Sequence, residues 1–531
     1  MERKNKVSTV KRHKKHSAWH PVKVARVVVA LVMLAAMTAL FTTVEGYVAT
    51  SLGWVAKLQI MPLAISGAIT AIIAWFAATL LFGRIYCSWV CPMGIVQDFF
   101  AHAARITRKL KFKHRYSWHT GNNRMRYTWL GFIAIASALG LTLPITLFDP
   151  YSAYGRVASQ IIVPIKSLVT PDATLFISSL VAFGIAVATL LMVGWTAYHR
   201  GRLVCNTVCP VGSLLSLISK YSLLHFDIDT DLCVNCRKCE HVCKAECINP
   251  LDHVVDSSRC VMCFNCVDAC EHNAIRYTVS RKRLSIPMMQ PIETAPTAAP
   301  MEVNVGTDSA NANNAATRHA VNSGEMSDTH SSSIRKVDRR QFLATGLIVA
   351  AAPALLAADT TRRRIEAITN NATPLPELRP VIPPGAESLD KFLDRCTGCG
   401  LCVARCPAHV LRPSTHELGW SNMLHPIKNY DKSYCRYNCT RCTEVCPTAA
   451  LMPLTEAEKH SFVVGTATVE ADNCIGCGLC ASRCPRKAIE MKSAGKGRVA
   501  TVDPSLCIGC GSCQYICPAT PEKAIGVCGI S

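Results

Sequence analysis

Thirty cysteines dominate the chemistry open to this chain, and most of them fall into one spacing. In Cys474-Ile-Gly-Cys477-Gly-Leu-Cys480-Ala-Ser-Arg-Cys484-Pro485, three thiols stand three positions apart and a fourth precedes a proline. The pattern returns 33 residues on, as Cys507, Cys510, Cys513 and Cys517-Pro518. Three thiolates on a tight loop can wrap three irons of one [4Fe–4S] cubane, while the fourth serves the neighbouring cluster. The spacing therefore groups Cys474, Cys477 and Cys480 with Cys517, and Cys507, Cys510 and Cys513 with Cys484. Structural zinc also takes four cysteines. Zinc ribbons, however, separate two Cys-x-x-Cys knuckles rather than stacking four thiols within eleven residues.

Four more quartets precede these two. Cys233, Cys236, Cys239 and Cys243 are followed by Cys260, Cys263, Cys266 and Cys270, in the same interleaved arrangement but with no proline after Cys243 or Cys270. Cys247 competes with Cys243 as fourth ligand, and the repeated spacing favours Cys243. Cys396, Cys399, Cys402 and Cys406 precede Pro407; Cys435, Cys439, Cys442 and Cys446 precede Pro447, with one extra residue in the first gap. Six quartets hold 24 of the 30 cysteines, two Cys-x-x-x-Cys-Pro motifs hold four, and Cys247 and Cys528 remain. A disulfide framework belongs to short secreted chains, not to one of 531 residues. The quartets resemble those of bacterial two-cluster ferredoxins, which implies small α+β domains and about six clusters.

Something must hold these modules in place, and the first 220 residues read as that element. Four stretches, 24–43, 60–82, 128–148 and 175–195, are apolar over about the 20 residues that a bilayer crossing needs. Basic residues crowd before the first (Arg3, Lys4, Lys6, Lys11, Arg12, Lys14, Lys15, Lys23, Arg26) and between the second and third. The other two loops carry only Lys57, and Arg156 with Lys166. By the positive-inside rule the N-terminus, the 83–127 loop and the chain after the fourth stretch are cytoplasmic. The net charge of +21 thus reads as membrane topology rather than a nucleic-acid groove. Nine basic residues and no small-residue cleavage site favour an anchor over a cleaved signal for the first stretch. The ionisable Glu45, Asp98, His102, Asp149 and His199 lie at the edges of these stretches and read as rim residues.

The same half contains a repeat. Gly83-Arg84-Ile-Tyr-Cys87-Ser-Trp-Val-Cys91-Pro92-Met-Gly94 aligns with Gly201-Arg202-Leu-Val-Cys205-Asn-Thr-Val-Cys209-Pro210-Val-Gly212, at an offset of 118. Cys87, Cys91, Cys205 and Cys209 are open to three readings: redox-active thiols, ligands to a cofactor, or small buried residues closing a helix. Over residues 20–280 the chain resembles the NapH family, the membrane component of a quinol-oxidising module that feeds periplasmic nitrate reductase. It resembles the NosR and CcoG membrane iron–sulfur proteins more loosely.

Residues 285–333 turn to Pro, Ala, Asn, Ser, Thr and Gly and read as a disordered tether. Within 335–358, Asp338-Arg339-Arg340-Gln341-Phe342-Leu343 and the alanine-rich run behind it look like a twin-arginine export signal. Clusters are assembled in the cytoplasm, so a domain carrying them would be exported folded. The four quartets of residues 385–531 after such a signal resemble NapG, the periplasmic ferredoxin partner of NapH.

The expected fold is therefore mixed. A four-span α-helical membrane domain (1–220) is joined to a cytoplasmic two-cluster module (225–284), and a four-cluster module (385–531) lies in the periplasm. The chain would sit in a bacterial inner membrane, in contact with lipid, and nothing in it suggests a nucleic-acid partner. No phosphate-cradling loop, haem-attachment motif or flavin fingerprint is present, so the chemistry is electron transfer rather than substrate turnover. The resemblance implies a quinol donor and a periplasmic reductase, or its electron-accepting subunit, as acceptor. A metal-reducing or maturation accessory like CcoG, and a redox-sensing regulatory protein like NosR, are the alternatives.

Overall fold

The computed structural model describes residues 21–43, 46–109, 116–169, 178–279, 379–494 and 497–530. The expected tether, the twin-arginine stretch and the basic run before residue 21 lie outside the described residues. All described residues belong to one compact unit.

The apolar half folds as helices: α1 Pro21–Thr42, α2 Gly46–Lys57, α3 Ile60–Ser66, α4 Ile69–Phe82, α5 Tyr86–Trp89, α6 Pro92–Lys109, α7 Asn123–Ala138, α8 Leu143–Phe148, α9 Pro150–Val157, α10 Val163–Val169, α11 Leu180–Arg200, α12 Leu203–Thr207 and α13 Pro210–Ser219. Among the described residues, α1 and α11 are long and apolar enough to cross a membrane by length and composition. The other two apolar stretches are each broken. Gly67, at φ +73°, ends α3 in a left-handed cap before α4 starts. Gly140, at φ +77°, separates α7 from α8, which restarts on a proline in its first turn. A left-handed backbone costs glycine nothing and other residues about 1–2 kcal/mol, so these are places where a helix stops readily. Between α9 and α10 the helix widens into a π turn at Ala158–Ile162. All of Pro150–Val157 is buried, although this segment is not conspicuously apolar.

Each of the two long helices touches a different cysteine-rich module at each end. At the start of α1, Lys23 pairs with Asp268 at 2.8 Å. At its end, Thr43 accepts a hydrogen bond from Arg405 (3.4 Å), and Phe41 packs over Gly155 beside the Cys399 carbonyl. On α11 the polarity is reversed: Ala182 near the start packs with Met423 and Leu424, and Arg200 at the end lies 3.5 Å from Glu246. A helix of 22 residues rises about 33 Å, close to the hydrocarbon thickness of a bilayer.

The first module is built on β1 His225–Ile228, β2 Ile248–Asn249, β3 Val254–Val255 and β4 Ile275–Thr278, with β1 antiparallel to β4 (His225 opposite Thr278) and β2 to β3. Its short helices are α14 Lys238–Val242 and α15 Asn265–Ala269. Phe226, Phe264 and Tyr277 form its aromatic core, with ring centroids 5.1–5.5 Å apart. The C-terminal module repeats this plan with β5 Leu411–Pro413 against β6 Pro426–Lys428, β7 Gly465–Val469 against β10 Ile525–Gly529, and β8 Ile489–Ala494 against β9 Gly497–Val502. The residue opening five of the described cluster-loop helices has positive φ, the exception being Thr440 before Arg441–Glu444, at φ −110°. Gly400, Gly478 and Gly511 supply it, whereas Arg237 and Phe264 adopt φ +58° and +61° without that freedom.

Candidate metal centres

In each module the loop between paired cysteines turns sharply and ends in a one-turn helix, so that thiols far apart in sequence converge. Cys484, Cys507, Cys510 and Cys513 line one pocket, and Cys406, Cys435, Cys439 and Cys442 line another. Elsewhere the groupings follow from which thiols lie in electrostatic reach of one another: Cys396, Cys399 and Cys402 with Cys446; Cys239 with Cys233, Cys236 and Cys270; and Cys266 with Cys260, Cys263 and Cys243. Cys480 lies near Cys474 and Cys477. Among the described residues, no three His, Cys, Asp or Glu side chains are set to hold a single metal ion. In a cubane each thiolate binds a different iron, so its ligands stand farther apart than those around one ion. Groups of four thiols gathered in this way suit [4Fe–4S] clusters.

Backbone N–H groups point at the sulfurs: Ala274 at Cys270 (3.3 Å), Ala488 at Cys484 (3.3 Å) and Ala467 at Cys507 (3.4 Å). Such bonds are among the levers that set cluster potentials. Cys247 is buried with its sulfur 3.5 Å from that of Cys243 and also approaches Cys260, so both candidate fourth ligands face the same centre. The enlarged loop between Cys435 and Cys439 is closed by a residue the spacing did not reveal. Lys459, 4 % exposed, donates to the carbonyls of Arg436 and Cys439. Its signal was a lone lysine on a short helix that only tertiary packing makes informative. Tyr430 seats the neighbouring loop, its hydroxyl donating to the Gly509 carbonyl at 2.6 Å. Cys528 lies on β10.

Three of the groups in the C-terminal module adjoin one another in turn. Cys402 feels Cys442, and Cys510 feels Cys435 across a 2.9 Å bond between the Cys435 amide and the Cys510 carbonyl. The group of Cys396 is therefore the inner end, against α9, where a Cβ on Gly155 would stand 2.3 Å from the Cys399 carbonyl. The group of Cys474 is the outer end, with Cys477 exposed. In the first module Cys236 is exposed, and Cys263 faces the helices, where Lys244 and Arg26 lie close to it.

Asp98, on α6, ties that inner face together. Its carboxylate binds Arg26 of α1, Arg202 at 2.8 Å and Lys244 at 3.2 Å, all largely buried. Burial alone would raise its pKa, but Arg202, Lys244 and Arg26 hold it well below the usual carboxylate range. Three cations around one carboxylate leave a positive excess beside the Cys263 thiol. Asp98 is thus an interior ion-pair hub and not a rim residue. Asp149 is also fully buried, contrary to the rim reading. It caps α9 by accepting from the Ser152 amide at 2.7 Å, its other oxygen has no partner, and the buried Tyr151 hydroxyl behind it lies near Cys399. Glu45 lies outside the described residues.

The two Cys-x-x-x-Cys-Pro motifs meet at a local two-fold. Arg84 of the first copy donates to the Cys205 carbonyl of the second (3.1 Å), and Arg202 of the second donates to the Cys87 carbonyl of the first (2.9 Å). The same guanidinium groups touch the Cys87 and Cys205 sulfurs at 3.8 and 3.7 Å. Cys209 caps α13, accepting from the Gly212 amide (3.3 Å), with Pro210 in the first turn; it does the work usually given to serine. Gly94 and Gly212 complete the motif because a Cβ at either would lie 2.3 or 2.2 Å from the carbonyl of Cys87 or Cys205.

Comparison with known proteins matches these parts separately. A 4Fe-4S binding domain model matches residues 63–113 and again 178–229, the two copies of the repeat. A 4Fe-4S dicluster domain model matches 395–450 and 473–520, and an LdpA Fe-S cluster-binding domain model matches 435–496. The chain is 29 % identical to the methylamine utilization ferredoxin-type protein MauN of Methylobacillus flagellatus, over 33 % of this chain and 52 % of that one. It is 28 % identical to the ferredoxin-type protein NapH of Haemophilus influenzae, over 33 % and 51 %. It is 25 % identical to the regulatory protein NosR of Stutzerimonas stutzeri, over 34 % and 22 %. The chain thus spans about half the length of MauN and NapH. No solved structure matches it. The chain is thus similar to the ferredoxin-type proteins NapH and MauN, more loosely to NosR, and carries 4Fe-4S binding domains.

Proposed function

We propose that this chain relays electrons across a membrane, from a quinol to an acceptor on the far side. One observation carries the reading: the two cysteine-rich modules contact opposite ends of the same two apolar helices, α1 and α11. A storage or sensing protein has no need of cluster modules at both ends of a bilayer-length helix. The chemistry the six clusters supply when bound is one-electron transfer. The chain's own residues hold them in file and leave Cys236 at one exposed tip and Cys477 at the other.

In this reading the N-terminus and residues 225–284 are cytoplasmic, four apolar stretches cross the bilayer, and residues 385–531 are exported through the twin-arginine stretch. The 24 quartet cysteines are the cluster ligands, with Cys243 rather than Cys247 as fourth ligand. Quinol oxidation releases two electrons and two protons, and the protons need an acceptor inside the protein. Asp149, with an unpartnered oxygen beside Tyr151 and the Cys399 loop, is the residue we assign to that task. The terminal acceptor is a periplasmic reductase, of the nitrate type in NapH-associated systems.

Reduction of the purified, cluster-loaded chain by a quinol analogue tests the reading directly. Wild type is expected to bleach in the visible region on adding quinol. Asp149→Asn keeps the helix cap and is expected to lose quinol reduction while still bleaching with dithionite. A reporter enzyme fused at residue 380 that works only in the cytoplasm would end the transmembrane reading and favour the accessory or sensing alternatives.

A further inference from the structure

The four cysteines of the repeat are too well gathered to be packing alone. Every one of the six pairs among Cys87, Cys91, Cys205 and Cys209 lies within electrostatic reach, and all four thiols are at most 6 % exposed. Each copy supplies two thiols, too few for a cluster, and the reciprocal Arg84 and Arg202 bonds bring the two pairs to one place. Helix capping accounts for Cys209, but it asks nothing of Cys87 or Cys205, which sit inside α5 and α12.

The surroundings suit an anion. Arg84 and Arg202 are 0 % and 1 % exposed; Arg202 is paired through Nε with Asp98 but keeps an Nη without a hydrogen-bond partner, and Arg84, with no carboxylate among its hydrogen-bond partners, keeps Nε without one. A buried arginine with unmet donors is costly unless negative charge faces it. A four-thiolate iron–sulfur cluster carries such charge, and N–H donors beside the sulfurs are the usual protein contribution to it. The location also matters. Cys87 adjoins Ser88, whose hydroxyl donates to the Met262 carbonyl in the Cys260–Cys263 loop (3.4 Å). On the other side Cys87 adjoins Tyr86, which is buried and within electrostatic reach of Asp149, itself next to Tyr151 and Cys399. Cys87, Cys91 and Cys209 share one core with Cys260 and Cys266 of the first module and with Leu401 of the second.

We infer that Cys87, Cys91, Cys205 and Cys209 together hold a seventh iron–sulfur cluster, shared by the two copies of the repeat, which is the stop between the two cluster modules. Tunnelling decays exponentially with distance, so a helix length of about 33 Å is not crossed in one step. At this stop an electron arrives from the reduced neighbour and leaves to the oxidised one, with no bond made or broken. The role as a stop rests on the relay proposed above; the existence of the cluster does not.

The test is iron and acid-labile sulfide per full-length chain, prepared anaerobically in detergent. Wild type is expected to hold about 28 irons rather than about 24, at four per cluster. Cys87→Ser and Cys205→Ser are expected to lose about four irons and four sulfides each, and the double variant no more than either alone. About 24 irons in wild type, unchanged by these substitutions, overturns the site; the wild-type count decides even if a variant fails to accumulate. The role is read in liposomes containing a trapped ferric chelate, with dithionite outside. Cys205→Ser is expected to lose transmembrane reduction that wild type performs, and undiminished transfer in a variant lacking the four irons overturns the stop. Loss of quinol reduction alone, with iron and dithionite transfer intact, bears only on the quinol donor.

Discussion

Asp98→Asn is the substitution with the clearest physical consequence. The carboxylate is the common partner of Arg26, Arg202 and Lys244, which come from α1, the second copy of the repeat and the first cluster module. Asparagine is nearly isosteric, so the cavity term is negligible and the loss is electrostatic. Removing one member of a buried, hydrogen-bonded ion-pair network costs about 3–5 kcal/mol, because the remaining charges stay buried without compensation. Here three cations share one anion, which places the expected cost toward the upper end. The assay is thermal or denaturant unfolding of the cluster-loaded chain in detergent, followed by loss of visible absorbance. The sign of the pH dependence is fixed by the pKa shift. A carboxylate held below its ordinary value stabilises fully above the unfolded value of about 3.9 and loses that contribution as pH falls below it. The deficit of Asp98→Asn is thus expected to be constant from about pH 5 to 8 and to shrink in stronger acid. A double variant with Lys244→Met recovers part of the loss if the two side chains are coupled. A single-variant deficit below about 0.5 kcal/mol, the range of an ordinary surface change, would refute the hub.

Lys459→Met removes the ammonium that closes the Cys435–Cys439 loop and leaves two carbonyls unmet. The expected outcome is destabilisation of about 1–3 kcal/mol and faster chelator-driven iron loss from that centre. Arg237→Gly relieves a left-handed residue that is half exposed and only loosely paired with Glu240. It is expected to stabilise the first module by about 1 kcal/mol, measured by the same unfolding assay. Gly155→Ala forces a Cβ to 2.3 Å from the Cys399 carbonyl and 2.9 Å from the Phe41 ring. Protease sensitivity at the contact between α9 and the C-terminal module is expected to rise.

The spacing of the cysteines makes the 4Fe-4S domains legible in the chain itself, because a cubane dictates its ligand loop locally. The repeat is equally plain, and so are the apolar stretches that became α1 and α11. What could not be read depends on distant contacts. The interruptions at Gly67 and Gly140 carry a local glycine signal, but an unbroken apolar composition around each hides it. Segment 150–160 is buried on every side by its neighbours, and its tyrosines, serines and arginine do not announce an interior helix. Asp98 and Asp149 look like rim residues in sequence, since an acid next to an apolar run is usually solvated. Only the arrival of three cations around one, and the return of the Cys399 loop onto the helix capped by the other, takes them inside. Nothing near Gly155 foretells that return, because residues 284–377 intervene.

The exchange of arginine bonds between the two copies of the repeat joins them into one unit. Arg84 holds its own Cys87 sulfur and the Cys205 carbonyl of the second motif, and Arg202 holds its own Cys205 sulfur and the Cys87 carbonyl of the first. A change at either arginine is therefore felt in both motifs at once, so the two halves of the apolar region cannot loosen independently.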